Sequence, residues 1–338
     1  MSYITSFLAH AGAVRLAAES SGAVATVQLS DYGLCLLKDG RETRWPPKFV
    51  ARMHGRLVYT PVLVPGTAGF AGWSPYAIRQ WPLATSKSAF KRHAIERGIA
   101  TPAACFDPGR IQGPFLVKHD ASSFGEGMRG PFLAYDPDDP AHQLRPGEYY
   151  ENFIVGLIAK AWCWGGECLA LHLEPPGTVT GDGQASVRDH VLALGEPAGT
   201  GHDWGLVERL VRCCGIGSLD EVLPRGRQVL IEFRYGSRYA DEGHGNPNLL
   251  GRMRDRRLVQ QFADAARQLA HAIPPDAQHG PAYYTLDAMV DSAGDAWFLE
   301  MNCNPVVHPD LYARMLAGAF GTGAEHARVP AAGDLLPA

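Results

Sequence analysis

Three features are absent from the sequence, and each absence narrows the class of protein. No run of about 18 apolar residues occurs, so we expect no transmembrane helix. Acidic and basic residues nearly balance, with a net charge of −4, which argues against a nucleic-acid-binding or polybasic membrane-surface protein. Residues 1–12 contain neither the basic segment nor the apolar segment of a signal peptide. We therefore expect a cytoplasmic protein with no nucleic-acid partner and no membrane partner.

The cysteines lack the pattern of a disulfide framework. There are seven of them, an odd number, and no Cys-x-x-Cys pair occurs. Cys163 and Cys168 are close in sequence, but no nearby histidine or cysteine pair accompanies them, as a zinc site would require. This pattern favours reduced thiols in a cytosolic protein.

The most informative segment that is present spans residues 283–305. Two short apolar runs flank Ser292–Asp295, which contains a glycine, and this pattern predicts a β-hairpin. With the turn centred on that loop, Asp287 stands directly opposite Glu300, where cross-strand Cβ atoms are about 5 Å apart. Asn302 lies two residues beyond Glu300 and points to the same face. The opposite, core-facing side is predicted to carry Leu286, Ala288, Val290, Trp297, Leu299 and Met301.

Paired carboxylates at this distance repel each other and need compensation. A hard divalent cation is the simplest source, because oxygens of Asp, Glu and Asn are ligands that magnesium takes. Asp287, Glu300 and Asn302 are therefore predicted metal ligands. The competing interpretation is an ordinary surface hairpin with acidic residues on its solvated side.

A glycine- and serine-rich loop, residues 119–130, follows a predicted strand that ends in Lys118. Such a loop offers backbone N–H groups that can surround a polyphosphate, with Ser123, Gly125 and Gly127 as the candidates. Lys118 supplies a positive charge for phosphate. The spacing matches neither the Walker A motif nor the dinucleotide-binding fingerprint.

Upstream of this loop, residues 84–98 are predicted to form a helix. Thr85 or Ser86 can cap its N-terminus, and Gly98 ends it. The segment that follows leads into a strand. The apolar stripe of the helix is predicted to comprise Ala89, Phe90, Ala94 and Ile95.

In their order along the chain, these segments resemble the ATP-grasp superfamily, which includes D-alanine–D-alanine ligase, glutathione synthetase and cyanophycin synthetase. The resemblance covers about residues 83–315. Residues 178–191 also resemble a loop that covers the active site in some members, although a simple turn and short helix explain them equally well. The segments that carry the resemblance are Lys87 with the Gly98-Ile-x-x-Pro102 end of its helix, the strand and loop around Lys118, the strand 148–156, the region of Arg234, and Asp287…Glu300-Met-Asn-Cys-Asn-Pro305.

The resemblance implies how the triphosphate and the metal are held. Lys87, Lys118 and the glycine-rich loop would contact the phosphates of ATP. Asp287, Glu300 and Asn302 would hold Mg²⁺, which Mn²⁺ could replace, against those phosphates.

The resemblance also implies that the strand 148–156 meets adenine. Glu151 would lie on the side of the exocyclic amine. Many members have an acidic residue shortly after this strand for the ribose hydroxyls, and here no acid occurs until Glu167. The implied adenine contacts are Glu151, Asn152, Phe153 and Ile154.

On the substrate side, the resemblance implies that Arg234 faces the reacting carboxyl and the transferred phosphate, since a guanidinium suits both groups. Arg238 is a second candidate. Relatives usually have a glycine where this sequence has Val306. His308 lies close by and is a candidate substrate contact, although a loop histidine is more often structural.

The fold implied is an α+β ATP-grasp fold, in which two α+β subdomains grip ATP. A short N-terminal α/β module precedes them. The units expected are the N-terminal module (1–82), a small subdomain with the glycine-rich lid (83–150), a large subdomain with the metal site (151–320) and a loose tail (321–338).

The function implied is ATP- and magnesium-dependent ligation of a carboxylate to an amine. An acyl phosphate would form first, and ADP and phosphate would be released. The expected partners are ATP and small-molecule carboxylate and amine substrates, such as amino acids or peptides, with a homodimer left open. Two alternatives remain at this stage, a small-molecule kinase of the same fold and a nucleotide-binding protein without turnover.

Overall fold

The computed structural model describes residues 7–53, 56–76, 79–121, 127–195, 201–234, 248–275 and 281–321. The strands of these ranges pair antiparallel throughout and are combined with α-helices, so the predicted α+β class is confirmed. Within the same ranges, no helix has the length and apolarity needed to cross a lipid bilayer. The predicted site residues Ser123, Gly125 and Arg238, and residues 322–338 of the predicted tail, lie outside the described residues.

The N-terminal part of the chain forms one helix and two antiparallel sheets. Its elements are α1 (Phe7–Ser21), β1 (Val24–Val27), β2 (Leu34–Lys38), β3 (Arg41–Trp45), β4 (Pro47–Met53), β5 (Arg56–Thr60) and β6 (Thr67–Trp73). The first sheet has the order β1-β2-β3, and the second has the order β5-β4-β6. The β2–β3 turn contains Asp39 and Gly40, both at positive φ, as tight hairpin turns require.

Two short helices lead into a four-stranded sheet of order β7-β10-β8-β9. We refer to it as the small sheet. Leu116 of this sheet packs in a cluster with Phe153 and Leu230, so the sheet contacts the following part of the chain. The elements are α2 (Pro82–Thr85), α3 (Lys87–Glu96), β7 (Ala104–Cys105), β8 (Phe115–His119), β9 (Arg129–Phe132) and β10 (Glu148–Asn152).

The last part of the chain contains a second four-stranded sheet, the large sheet, of order β12-β11-β15-β16, and a two-stranded sheet, β13-β14. Helix α6 packs against the large sheet with the apolar face that its sequence spacing predicts. The elements are β11 (Leu157–Trp164), β12 (Glu167–Glu174), β13 (Gly177–Thr180), α4 (Val187–Ala193), α5 (Trp204–Cys213), β14 (Gln228–Glu232), α6 (Arg256–Ala270), β15 (Tyr283–Val290), β16 (Ala296–Cys303) and α7 (Leu311–Phe320).

The predicted helix at residues 84–98 is interrupted at Ser86, which is extended and caps α3 by accepting a hydrogen bond from Ala89. The predicted stripe is partly wrong. Phe90 and Ala94 are buried, but Ile95 is exposed, and the aliphatic stem and ammonium of Lys91 are buried in its place. The reason is that α3 packs against β16 on one side while Lys91 finds a buried carboxylate, described below.

One hydrophobic core joins the N-terminal elements to the large sheet. It includes Phe70 and Trp73 of β6, Trp162 of β11, Leu286 of β15 and Leu316 of α7. Large aromatic side chains each bury about 150–250 Å², so this cluster is a major part of the apolar surface removed from water. Among the described residues, the N-terminal elements therefore share their core with the large sheet.

Candidate active site

The predicted hairpin is present, and its register is the one expected. Asp287 of β15 is the direct partner of Glu300 of β16. The turn is stabilised by Asp291, which accepts hydrogen bonds from the backbone of Ala293 and Asp295, while Gly294 adopts a positive φ of 80°. The two acidic residues are thus brought together by a turn whose residues suit it.

The predicted core face of the hairpin needs one correction. A bulge follows Asp287, so Ala288 pairs with Phe298 rather than with Leu299. An extra residue in one strand shifts the following side chains to the other face. Phe298 is therefore buried, and Trp297 and Leu299, which were expected in the core, are only partly buried.

Asp287 and Glu300 belong to a row of four residues that crosses the large sheet, which we call the charged row. His172 of β12 pairs with Lys160 of β11, Lys160 pairs with Asp287, and Asp287 pairs with Glu300. Directly opposite residues on neighbouring strands project to the same face of a sheet. Helix α3 adds a further positive charge at the end of the row, because Lys87 Nζ lies 3.2 Å from Glu300 Oε2.

The carboxylates of this row are compensated from both sides. Lys160 Nζ donates to Asp287 Oδ1 at 2.7 Å. Asn302 Nδ2 donates to Asp287 Oδ2 at 3.0 Å and lies 3.5 Å from Glu300 Oε1. Burial raises the pKa of Asp287, and the Glu300 carboxylate adds to this rise while Lys160 opposes it. A divalent cation would offset the repulsion that remains, and the donor set of two carboxylates and an amide fits Mg²⁺. Within the described ranges, no cluster of three or more His, Cys, Asp or Glu residues is present as an alternative metal centre.

The segment after the β15–β16 hairpin is fixed by the N-terminal elements. Asn304 adopts a positive φ of 53°, and its buried amide bonds both the N–H and the carbonyl of Arg79. Lys48 of β4 donates to the carbonyls of Asn304 and Pro305 and to the hydroxyl of Tyr283. The second asparagine of the Asn-x-Asn-Pro sequence is therefore an anchor of the backbone that leads away from Asn302.

The N-terminal elements also approach the hairpin directly. Burial raises the pKa of Tyr59 to about 12, and the negative charge of Asp287 adds to this rise. The Lys48 ammonium lies 5.1 Å from the Tyr59 ring centroid. Tyr59 of β5 therefore lies beside the β15–β16 hairpin, a position for which the sequence offered no motif.

On the small sheet, Lys118 shares a buried carboxylate with a second lysine. Its ammonium contacts Glu151 Oε1 at 2.5 Å, and Lys91 contacts Glu151 Oε2 at 2.7 Å. Glu151 is only 2% exposed. Burial alone would raise its pKa, but Lys118 and Lys91 outweigh burial and hold the pKa below its ordinary value. We call this group the buried triad.

The buried triad and the strand pairing already engage several of the groups that were predicted to contact adenine. The Glu151 carboxylate is engaged by two lysines, and its backbone pairs with Ala104 on one side and Leu116 on the other. Phe153 is buried against Phe233, with ring centroids 5.1 Å apart. The N–H groups of Asn152 and Phe153 donate to the carbonyls of Ala103 and Pro114, respectively. Beyond the strand pairing, Ile154 is only partly buried.

Asp120, which the sequence analysis did not identify, connects the strand that carries Lys118 to the helix that carries Lys87. It follows β8 and accepts hydrogen bonds from the Ser88 backbone at 2.6 Å and from Ser86 Oγ at 2.8 Å. These bonds outweigh burial and lower the pKa of Asp120. The N-terminus of α3 is thereby attached to the end of the strand that carries Lys118. Gly127 of the predicted lid has a positive φ of 72°.

Arg234 lies at the end of β14, as predicted, and is 43% exposed. Its guanidinium lies 3.7 Å from Asp203 Oδ2 and 3.9 Å from Glu232 Oε1, and its backbone N–H donates to Glu232 Oε1. Asp203 is the N-cap of α5 and Glu232 is the last residue of β14, so neither partner belongs to the β15–β16 hairpin. The geometry of the described residues therefore does not bring Arg234 together with Asp287 and Glu300.

His308 is engaged by a second histidine. Its Nε2 lies 3.0 Å from Nε2 of His172, and both rings pack at a tilt against Trp162, with centroids 5.2 and 4.6 Å away. The backbone N–H of Asp310 donates to His308 Nδ1. The neutral His308 ring therefore carries its proton on Nε2 and donates it to His172, whose own proton is then on Nδ1.

This histidine pair is electrically neutral near pH 7. Burial lowers the pKa of His172 to about 3, and His308 and the neighbouring Lys160 reinforce the shift. Burial also lowers the pKa of His308. His172 Nδ1 is buried and makes no hydrogen bond within the described part of the chain. Both ring nitrogens of His308 are used inside the protein, so the candidate substrate contact is also a packing residue.

A signal for the missed residues was present in the sequence. The chain contains six lysines among 31 basic residues, so arginine supplies most of its positive charge. Five of these lysines have buried or largely buried ammonium groups that contact the hairpin, the triad or the charged row. The lysine ammonium is a compact charge that suits phosphate and carboxylate partners. The few lysines of this chain were therefore worth considering together as candidate site residues.

Comparison with known proteins gives matches among solved structures. No protein-family model and no curated protein matches the chain. A bifunctional glutathione synthetase from Pasteurella multocida matches with 14% identity and a TM-score of 0.41, over 91% of this chain and 42% of that chain. VanG D-Ala:D-Ser ligase from Enterococcus faecalis matches with 12% identity and a TM-score of 0.40, over 71% and 61%.

A third match is D-alanine–D-alanine ligase from Bacillus anthracis, with 15% identity and a TM-score of 0.35, over 70% of this chain and 66% of that chain. The chain spans 42% and 61% of the first two matched proteins, respectively.

Proposed function

We propose that the protein is an ATP- and Mg²⁺-dependent carboxylate–amine ligase of the ATP-grasp type. The observation that carries the proposal is the charged row, in which two carboxylates on a hairpin are bracketed by Lys160 and Lys87. A surface hairpin with acids on its solvated side would not need these partly buried ammonium groups, whose side chains are 16% and 15% exposed. The arrangement suits a metal-bound polyphosphate.

In this proposal, the chain's own residues divide the work. ATP with its Mg²⁺, when bound, supplies the phosphoryl group that activates a carboxylate. Asp287, Glu300 and Asn302 hold the cation, and Lys87 beside them attracts phosphate oxygens. Lys118 contributes a further positive charge from the small sheet. Such groups act by positioning and by offsetting negative charge in phosphoryl transfer.

Lys118 would exchange partners when nucleotide binds. Its ammonium now contacts Glu151, while Glu151 also holds Lys91. If Lys118 turns toward phosphate, Lys91 still neutralises the buried carboxylate, so the exchange leaves no uncompensated charge in the interior. The second lysine of the triad therefore makes Lys118 available without destabilising the small sheet.

The remaining groups are assigned to adenine and to the substrates. Beyond the paired part of β10, Phe153 and Ile154 remain candidates for the adenine ring. Arg234 is retained as the group that faces the acyl phosphate. His308 is retained as a candidate acceptor contact, and a hydrogen bond from its ring to the acceptor would have to replace the one to His172 or the one to Asp310.

The test is a product analysis with the full chain. Inorganic phosphate release is measured with ATP, Mg²⁺ and amino acids or short peptides supplied singly and in pairs, and products are identified by mass spectrometry. We expect ADP, phosphate and an amide whose mass is the sum of the two substrates less water. Glu300→Gln should abolish product, whereas Glu167→Gln, at an exposed acid outside the site, should not.

Other outcomes separate the alternatives. Phosphate that remains on the acceptor with no amine required would establish a small-molecule kinase. Release of AMP would establish adenylation and would contradict the role given to Arg234. Nucleotide binding without any product across the panel would favour a nucleotide-binding protein without turnover.

A further inference from the structure

The face of the large sheet that carries the charged row has a third carboxylate besides those of Asp287 and Glu300. Glu174 is the last residue of β12 and the direct partner of Ile158 on β11. Ile158 lies two residues before Lys160 on the same strand, so these two side chains project to the same face. Because direct cross-strand partners share a face, the Glu174 side chain lies on the same side of the sheet as the charged row.

Glu174 begins a second row of side chains across the sheet, which we call the adjacent row. Ile158 pairs with Met289 on β15, and Met289 pairs with Trp297 on β16. Ile158 and Met289 are buried, and the indole N–H of Trp297 donates to Asp291 of the hairpin turn. The adjacent row is therefore an apolar floor with one carboxylate at its β12 end.

The adjacent row lies between the two ends of the proposed nucleotide site. Phe153 and Ile154, the adenine candidates, come just before β11, and Ile158 and Lys160 then follow along that strand. A strand rises about 3.4 Å per residue, so the adjacent row and the charged row are about 7 Å apart. In ATP the ribose joins the adenine to the phosphates. A nucleotide held at both of these ends has its ribose between them, next to the adjacent row.

A carboxylate suits the two neighbouring hydroxyls of a ribose. When ionised it only accepts hydrogen bonds, and its two oxygens can accept one from each hydroxyl. Glu174 is 8% exposed, and Lys160 already has its own carboxylate in Asp287 at 2.7 Å. The chain has no acidic residue between Glu151 and Glu167, so β10 and β11 supply none beside the adenine candidates. The neighbouring strand β12 supplies one.

We propose that Glu174 binds the ribose hydroxyls of the nucleotide and makes the protein select ribonucleotides over 2′-deoxyribonucleotides. The inference rests on the proposed function, since it takes the charged row as the phosphate end of a nucleotide site. Glu174 contributes to binding and not to the chemical step. Its effect therefore belongs to nucleotide affinity, and it depends on the sugar rather than on the phosphates.

The experiment is calorimetric titration of the full chain, in the presence of Mg²⁺, with ADP and with 2′-deoxy-ADP. Wild-type protein should bind ADP roughly tenfold to a hundredfold more tightly, because 2′-deoxy-ADP lacks one hydrogen bond to a charged group. Glu174→Leu should weaken ADP binding and bring the two affinities within about threefold of each other. Glu174→Gln, which keeps the shape but not the charge, should lie between Glu174→Leu and wild type.

Two controls separate the sugar from the rest of the nucleotide. Glu167→Gln changes an exposed acid on the same strand, where it pairs with Arg314, and should alter neither affinity. Lys118→Met should weaken ADP and 2′-deoxy-ADP by the same factor, because its proposed partner is phosphate. Circular dichroism establishes that each variant is folded.

The inference is overturned if wild-type protein binds the two nucleotides equally, if the Glu174 variants discriminate as strongly as wild type, or if neither nucleotide binds. The product analysis is independent of this titration. An amide product together with equal binding of the two nucleotides would refute the role of Glu174 while leaving the ligase proposal intact. Loss of discrimination in Glu174→Leu without any amide product would support the role of Glu174 and refute the ligase proposal.

Discussion

Glu151→Gln should destabilise the protein strongly, because it removes the charge that compensates two largely buried lysines. Glu151 contacts Lys118 at 2.5 Å and Lys91 at 2.7 Å. Removing one partner of a buried ion pair costs about 3–5 kcal/mol. Lys91 keeps its bonds to Thr101 Oγ1 and to the Pro102 carbonyl, which satisfy two of its donors but do not neutralise its charge. We expect the free energy of unfolding to fall by about 3–5 kcal/mol at pH 7.

The pH dependence of this loss has a definite sign. Although burial would raise the pKa of Glu151, Lys118 and Lys91 depress it. A carboxylate with a depressed folded-state pKa contributes stability above its unfolded pKa of about 4.3, and this contribution is lost as pH falls through the folded-state pKa. The difference between wild type and Glu151→Gln should therefore be complete at pH 7 and shrink below about pH 4.

Urea denaturation followed by tryptophan fluorescence measures this difference. Asp220→Asn is a matched control, since it breaks the exposed ion pair with Arg188 and should cost at most about 1 kcal/mol. Adding Lys91→Met to Glu151→Gln should recover part of the loss, because the charge left unpaired is removed. A stability of Glu151→Gln within about 1 kcal/mol of wild type at pH 7 would refute the buried triad.

Three further predictions test other parts of the molecule. Glu300→Gln should abolish turnover and leave the circular dichroism spectrum unchanged. Turnover at the wild-type rate would show that Glu300 does not hold a catalytic metal. Lys118→Met should weaken binding of a non-hydrolysable ATP analogue, measured by calorimetry, more than Lys38→Met, and equal losses would mean that the phosphate contacts lie elsewhere. Burial lowers the pKa of His10 to about 3, and its Nδ1 bonds the hydroxyl of Tyr312. The unfolded chain therefore binds more protons than the folded chain below about pH 6.5. As the pH falls from 7 to 5, His10 should lower the free energy of unfolding by about 2 kcal/mol. His10→Gln should lose less stability than wild type over that interval in urea denaturation, and parallel losses would contradict a neutral His10.

The β15–β16 hairpin illustrates what the sequence by itself determined. Alternation of side chains with period two places Glu300 and Asn302 on one face, and a turn containing Gly294 sets Asp287 opposite Glu300. These relations are local, because a single turn joins the two strands. The bulge after Asp287 escaped prediction, since it depends on how Phe298 fills the core rather than on the turn.

The surroundings of the hairpin were decided only by the tertiary structure. Lys160 precedes Asp287 by more than a hundred residues, and its partnership with Asp287 depends on which strands become neighbours and in which register. The same holds for His172, and for Lys87, which reaches Glu300 because α3 packs on β16. Glu151 was predicted as an adenine contact, yet its carboxylate is enclosed by Lys91 and Lys118. A charged side chain in the interior must meet its counterion, and only the folded chain determines which one is within reach.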